Sequence, residues 1–232
     1  MGGLDELRGV TDAGDALVIG AATTHYQLVR DPLVAAHCGI LGQATSTVAD
    51  PAVRHRGTLG GALVHGDPAG DLPAVMLALD ATLVAEGPGG QRQIPAAEFF
   101  VDYLTTSMQP DEILTAVRVP KLGAGWGYRY EKFHRTAQSW ATVAVAALAR
   151  RDNGSVAEAR IGLTNMGPVP VRARATEEAA AGAHASPDAL RAAAGRADEG
   201  TQPPADLHGA ADYRRHLARV LTGRALAAAA GL

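Results

Sequence analysis

The chain has 232 residues, 47% hydrophobic and 19% charged, at a formal net charge of −3, which excludes general disorder and fits one large globular domain or two small ones. Only 4% of residues are aromatic, so each buried side chain removes little area from water and close backbone packing has to replace bulk. The 21 cations and 24 anions form no long run, which excludes the clustered basic footprint of a nucleic-acid-binding or membrane-adsorbing protein.

In chain order, residues 16–22 are short, apolar and β-branched at the centre, and predict a buried strand. Asp31-Pro32 sets a capping carboxylate before a first-turn proline and opens a helix carrying Leu33, Val34, Ala35 and Ala36. A second helix is predicted from Asp71-Leu72-Pro73 through Val75, Met76, Leu77 and Leu79. Residues 81–94 read as strand, a Gly87-Pro88-Gly89-Gly90 turn, then strand, and residues 113–119 form a further strand ended by Pro120.

The linker-like Lys121-Leu122-Gly123-Ala124-Gly125 marks a boundary, giving domains 1–121 and 122–232. Beyond it, residues 126–133, 141–149 and 156–163 predict three antiparallel strands, the last two joined across Asn153-Gly154. The Ala-rich remainder predicts helices over 173–183, from Ser186-Pro187 onward, and over 210–230.

The residues with the most chemical content are Arg54-His55-Arg56-Gly57-Thr58-Leu59-Gly60-Gly61 and the following His65-Gly66-Asp67-Pro68-Ala69-Gly70-Asp71. Glycines flanking a Thr let backbone approach a ligand, and successive N–H groups there can form an anion-binding concavity for a phosphate or pyrophosphate. The plainer reading is a tight loop between a strand and a helix, with Asp71 as a helix cap and with Asp67 and Asp71 paired to Arg54 or Arg56. P-loop and Rossmann fingerprints, H-E-x-x-H and G-x-S-x-G are all absent. The sole cysteine, Cys38, permits no internal disulfide and no thiolate cage, and reads as a small core residue. With no basic-then-apolar N-terminal layout and no membrane-length apolar run, a cytoplasmic location is expected.

The run from Asp50-Pro51 through Arg54 and Arg56-Gly57-Thr58-Leu59-Gly60-Gly61 to Asp67-Pro68-Ala69-Gly70-Asp71 resembles the second flavin-binding segment of the medium subunit of molybdenum hydroxylases. That is the family of carbon monoxide and xanthine dehydrogenases. Residues 107–120, with Asp111-Glu112-Ile113-Leu114 and Val117-Arg118-Val119-Pro120, resemble the segment that closes that family's flavin domain. Tyr128-Arg129-Tyr130-Glu131-Lys132-Phe133 through Arg135 to Ala144, then Ile161-Gly162-Leu163-Thr164-Asn165, resemble its C-terminal domain in the carbon monoxide dehydrogenase branch.

The resemblance implies an α+β protein: part of a two-subdomain, vanillyl-alcohol-oxidase-like FAD-binding domain, then a three-stranded antiparallel sheet domain with helices. It implies that Thr58, Leu59, Gly60 and Gly61 line the FAD diphosphate and ribityl chain, with Asp71 nearby. Leu114 and Lys132 become flavin neighbours, and Trp140 stands beside the isoalloxazine; read without the resemblance, Trp140 is a core residue and Lys132 a solvated surface cation. The implied function is electron transfer in a hetero-oligomer, from a molybdopterin-containing large subunit and a [2Fe–2S] small subunit through FAD to an external acceptor.

The family's first flavin loop, Ala-Gly-Gly-x-Ser, has no counterpart in this sequence. Gly2-Gly3 lacks the preceding strand and following Ser that would make it one. The expectation is that the chain as it stands holds FAD weakly or not at all. Alternatives are a flavin-free structural subunit of the same complex and a free-standing flavin reductase. Ala62 and Ser139 stand where the family usually has Asn and commonly has Asp.

Overall fold

The computed structural model describes residues 4–232, so the Gly2-Gly3 pair lies outside the described residues. The apolar run forms β2 (Ala16–Gly20), paired with a short β1 (Val10–Asp12) that its polar composition hides from the sequence. Five short helices follow: α1 (His25–Arg30), α2 (Pro32–His37), α3 (Gly39–Ser46), α4 (Pro51–Arg56) and α5 (Leu59–His65). All but α3 start on a side-chain cap, in which Thr24, Asp31, Asp50 and Thr58 accept N–H groups of the first turn. Such caps supply what helices this short cannot gain from propensity. Thr24-x-x-Gln27 and Asp50-Pro51 carry the same capping signal in sequence as Asp31-Pro32.

Next come α6 (Asp71–Ala78), β3 (Thr82–Gly87), β4 (Gly90–Pro95), α7 (Ala96–Phe99), β5 (Phe100–Asp102), β6 (Thr105–Thr106) and β7 (Ile113–Pro120). The first sheet has the order β1-β2-β7-β3-β4 and is antiparallel throughout. β7 therefore runs between the strand leading to the short helices and the β3–β4 hairpin. Its Leu114 end is thus placed near the glycine loop.

The second sheet comprises β8 (Trp126–Phe133), β9 (Val143–Asp152), β10 (Ser155–Thr164) and β11 (Val171–Arg172) in the order β11-β10-β9-β8. It has four strands where the sequence predicts three, because β11 contributes only two residues, too few for a periodic pattern. The β9–β10 hairpin turns through Asn153 (φ 47°) and Gly154 (φ 80°), two left-handed residues as an Asn-Gly turn requires. α8 (Arg174–Ala180), α9 (Pro187–Ala194) and α10 (Ala211–Ala229) complete the chain.

β9 is buried on both faces, which is why it reads as an unbroken Ala/Val run. Ala144, Ala146 and Leu148 join the core around α3, α6 and the first sheet, while Val143, Val145, Ala147 and Ala149 join that of α8, α9 and α10. One core cluster thus draws residues from both sides of position 122. Close backbone contact replaces bulk here: a Cβ at Gly162 would strike the Ala74 carbonyl of α6, and one at Gly127 the Ala229 carbonyl of α10. α6 is thereby pressed onto the second sheet, which carries its first residue, Asp71, to the side chains of β8. No helix among the described residues is long and apolar enough to cross a membrane.

Candidate functional site

Thr58 ends an extended stretch and caps α5, its Oγ1 accepting the Gly61 N–H at 3.1 Å. The Leu59 N–H donates to Thr23 O at 3.0 Å, Gly60 N–H to Ala21 O at 2.8 Å and Ala62 N–H to Thr58 O at 3.1 Å. The amides at 59–61 are therefore consumed within the fold. The expected concavity of free N–H groups does not form from them, because the loop is tied to the end of β2 before any ligand is considered. Leu59 is fully buried, with its side chain in the core rather than toward a ligand. Gly60 serves packing too, since a Cβ there would lie 2.6 Å from Ala21 Cβ and 2.8 Å from Ala21 O. Gly61 is exposed, and a Cβ there would meet only Thr58 Oγ1, at 3.0 Å.

His25 clamps this loop from beneath. Its backbone N–H donates to Gly57 O at 2.9 Å and its Nε2 lies 3.1 Å from Thr58 O. A carbonyl only accepts, so Nε2 carries the proton. Burial lowers the pKa of the ring and keeps it neutral.

Asp71 does not cap α6: Gly70 occupies that position, and the Asp71 side chain makes no capping bond. Nor does it pair with Arg54 or Arg56. Tyr130 donates its hydroxyl to Asp71 Oδ1 at 2.6 Å, and Lys132 Nζ donates to Oδ2 at 2.8 Å and to Thr47 O at 3.2 Å. The Asp71 and Lys132 side chains are each only 4% exposed. Lys132 is thus a buried, paired ammonium, not the surface cation that its type alone suggests. Burial raises the Asp71 carboxyl, against the opposing pull of the Lys132 charge and the Tyr130 hydroxyl. Tyr130 and His25 join the site without being among the residues that the resemblance implies. Tyr130 was discoverable, since it sits two residues before Lys132 on one strand and therefore on the same face.

Two clefts meet over the loop. The first, about 690 Å³, is bordered by Arg8, Arg56, Thr58, Gly60, Gly61 and Leu114 among others; the second, about 600 Å³, by Arg56, Thr58, Gly61, Asp71, Lys132 and Trp140 among others. Both volumes are of small-molecule size. Of the residues expected at the site, every one but Leu59 borders one cleft or the other, and Thr58 and Gly61 border both. Trp140 is 58% exposed, which removes its reading as a core residue; its ring centroid is 6.5 Å from that of His65. Glu112, on the wall of the first cleft, is held down to about 2 by Arg92, so its charge is already matched.

Donors along the clefts that find no acceptor among the described residues include the third N–H of Lys132 and the O–H of Thr58, beside the exposed guanidinium of Arg56. An open glycine, Gly61, borders both clefts, and an exposed indole, Trp140, borders the second. This donor set fits an elongated ligand with an acceptor-rich centre and a flat aromatic end, which is the chemistry of FAD. Cys38, by contrast, is buried and its thiol is pushed up to about 12, so it is an inert core group.

Residues 1–122 match the FAD binding domain in molybdopterin dehydrogenase, and residues 128–229 match the CO dehydrogenase flavoprotein C-terminal domain. The chain is 38% identical over 226 residues to the carbon monoxide dehydrogenase medium chain of Hydrogenophaga pseudoflava, covering 97% of this chain and 79% of that one. A putative xanthine dehydrogenase FAD-binding subunit of Escherichia coli is 33% identical over 98% of this chain and 80% of its own. A solved carbon monoxide dehydrogenase from Hydrogenophaga pseudoflava, lacking the Mo-pyranopterin moiety of its cofactor, superposes with a TM-score of 0.94 at 42% identity, over 97% of this chain and 78% of that one. Sequence, fold and cleft chemistry agree, and the chain belongs to the family of FAD-binding medium subunits of molybdenum hydroxylases of the carbon monoxide dehydrogenase type.

Proposed function

We propose that the chain is the electron-transfer subunit of a cytoplasmic molybdenum hydroxylase, taking electrons from a [2Fe–2S] small subunit and delivering them through FAD to an external acceptor. Substrate oxidation belongs to a molybdopterin-containing large subunit. The observation that carries this reading is the convergence of Thr58, Gly61, Leu114, Lys132 and Trp140 on two abutting clefts. When bound, FAD supplies the redox chemistry of its isoalloxazine.

The work of the chain is binding, orientation and charge. Gly61 leaves the backbone open to close approach, and the Thr58 hydroxyl offers a donor beside it. Lys132, oriented by Asp71 and Thr47, keeps one N–H for an acceptor in the second cleft. Its charge is balanced by Asp71, so a group gaining negative charge there meets a donor without a large excess of positive field. Leu114 gives the first cleft an apolar wall, and Trp140 offers an exposed aromatic face to the second. Residues 1–121 would supply the loop and Asp71, and residues 122–232 Lys132 and Trp140.

Affinity purification of the full-length tagged protein from its native host tests this role. The expected result is a hetero-oligomer containing molybdenum, iron–sulfur clusters and a flavin spectrum. Recovery of a lone, colourless chain, under conditions where the other subunits are expressed, contradicts it.

A further inference from the structure

Trp140 is 58% exposed and lies on the connection from β8 to β9, residues 134–142, so its own ring buries too little to hold it in place. Bonds inside that connection converge on the Thr136 carbonyl, which accepts from the Ser139 N–H at 3.3 Å and from the Ser139 hydroxyl at 2.8 Å. They stop one residue short of the indole.

The chain just after Trp140 is fixed from elsewhere in the fold. Asn165 Nδ2 donates to Ala141 O at 2.8 Å and to Thr142 O at 3.3 Å. The fully buried guanidinium of Arg214, on α10, also donates to Thr142 O, while its Nη2 meets both carboxylate oxygens of Asp206 at 2.7 and 2.8 Å. Asn165 has a second attachment, because its backbone N–H donates at 2.8 Å to Pro68 O, in the turn that leads to Asp71. Asp67, Gly70 and Asp71 border the second cleft from that turn, and Gln138, Ser139 and Trp140 border it from the β8–β9 connection. One residue, only 8% exposed, thus ties together two stretches of the cleft's rim, one from each side of position 122. It does so in the left-handed region, at φ 62°, which Asn tolerates better than most side chains. Glycine would meet that backbone requirement with no steric cost, and the amide is what it would lack.

We propose that Asn165 is a positioning residue for Trp140: bonded to the Pro68 turn through its backbone and to the Ala141 and Thr142 carbonyls through its amide, it holds the indole at a set place on the rim of the second cleft before a ligand arrives. Ordering an exposed aromatic in advance removes part of the cost of ordering it on binding. The identity of the ring that Trp140 faces rests on the flavin reading; the placement of Trp140 does not.

The test follows Trp140 emission in the full chain without ligand, in a Trp126→Phe background that leaves Trp140 as the sole tryptophan. Asn165→Gly keeps the backbone conformation and removes the amide. Asn165→Asp keeps the shape and the tolerance of positive φ but sets an acceptor against two carbonyls. Both are expected to lower the emission anisotropy of Trp140 and raise its quenching by acrylamide, with far-UV circular dichroism unchanged. In Asn165→Asp the anisotropy should recover as the pH falls and the introduced carboxyl takes up a proton, because it then has a donor again; Asn165→Gly should show no recovery. FAD binding by equilibrium dialysis, weak in the parent, should weaken by a further factor of roughly 2 to 10 in Asn165→Gly, the cost of ordering one side chain. Anisotropy and quenching equal to the parent in both folded variants overturn the proposal, as does an Asn165→Asp anisotropy that ignores pH while the parent stays folded. Loss of the fold in both variants overturns it too, since Asn165 then serves stability alone. Bound FAD that leaves the Trp140 emission of the parent untouched contradicts the flavin reading and leaves the placement of Trp140 standing.

Discussion

The glycine loop at 57–61 and the charged cluster around Asp71 both border the second cleft, and they reach it by opposite routes. The loop looks like ligand-binding backbone but is largely spent on its own fold: its amides are bonded, Gly60 packs on Ala21 and Leu59 is core. The cluster looks unremarkable in sequence, a helix-starting acid and a strand lysine, yet it is a buried ion pair joining α6 to β8 with one donor to spare. What each region offers a ligand is what its internal bonds leave over: a hydroxyl and an open glycine from the loop, and a single N–H from the cluster.

The largest effect should come from the cluster. Asp71→Ala strands the Lys132 ammonium in a site only 4% exposed, and removing one partner of such a pair costs about 3–5 kcal/mol. Urea denaturation at neutral pH reads this directly. A loss below about 1 kcal/mol would place the pair among surface ion pairs and erase the contrast with the loop.

The loop is dissected by its two adjacent glycines. Gly60→Ala forces a Cβ to within 2.6 Å of Ala21 Cβ, and overpacking of this kind costs about 1–3 kcal/mol. Gly61→Ala meets only the Thr58 hydroxyl at 3.0 Å and stands in a helical turn where Ala is favoured by about 1 kcal/mol, so stability should hold while flavin affinity falls. Parallel unfolding and flavin titrations of the two variants check this. If Gly60→Ala lowers affinity with stability intact, the loop approaches ligand through Gly60 after all.

The fold was legible where the chain alternates or caps. β2, the β3–β4 hairpin, β7 and the Asn153-Gly154 hairpin follow from pattern and turn chemistry. β1 and β11 were not legible, being three and two residues long and dependent on a neighbouring strand for their existence. The site was legible by resemblance as a set of positions, but not in its physics. That Asp71 would turn from its helix to Tyr130 and Lys132 depends on how α6 packs against the second sheet, through Gly162 on Ala74, which no local signal carries.

The most direct test concerns Trp140, the exposed ring of the second cleft. Titrating the chain with FAD while following flavin emission, and measuring binding separately by equilibrium dialysis, compares wild type with Trp140→Leu. The expected result is weak binding with quenched emission of the bound flavin in wild type, and weak binding with restored emission in the variant, because Leu keeps an apolar contact but removes the aromatic plane. Identical quenching in the two proteins, with FAD bound to both, would contradict a flavin seated against Trp140 across these clefts.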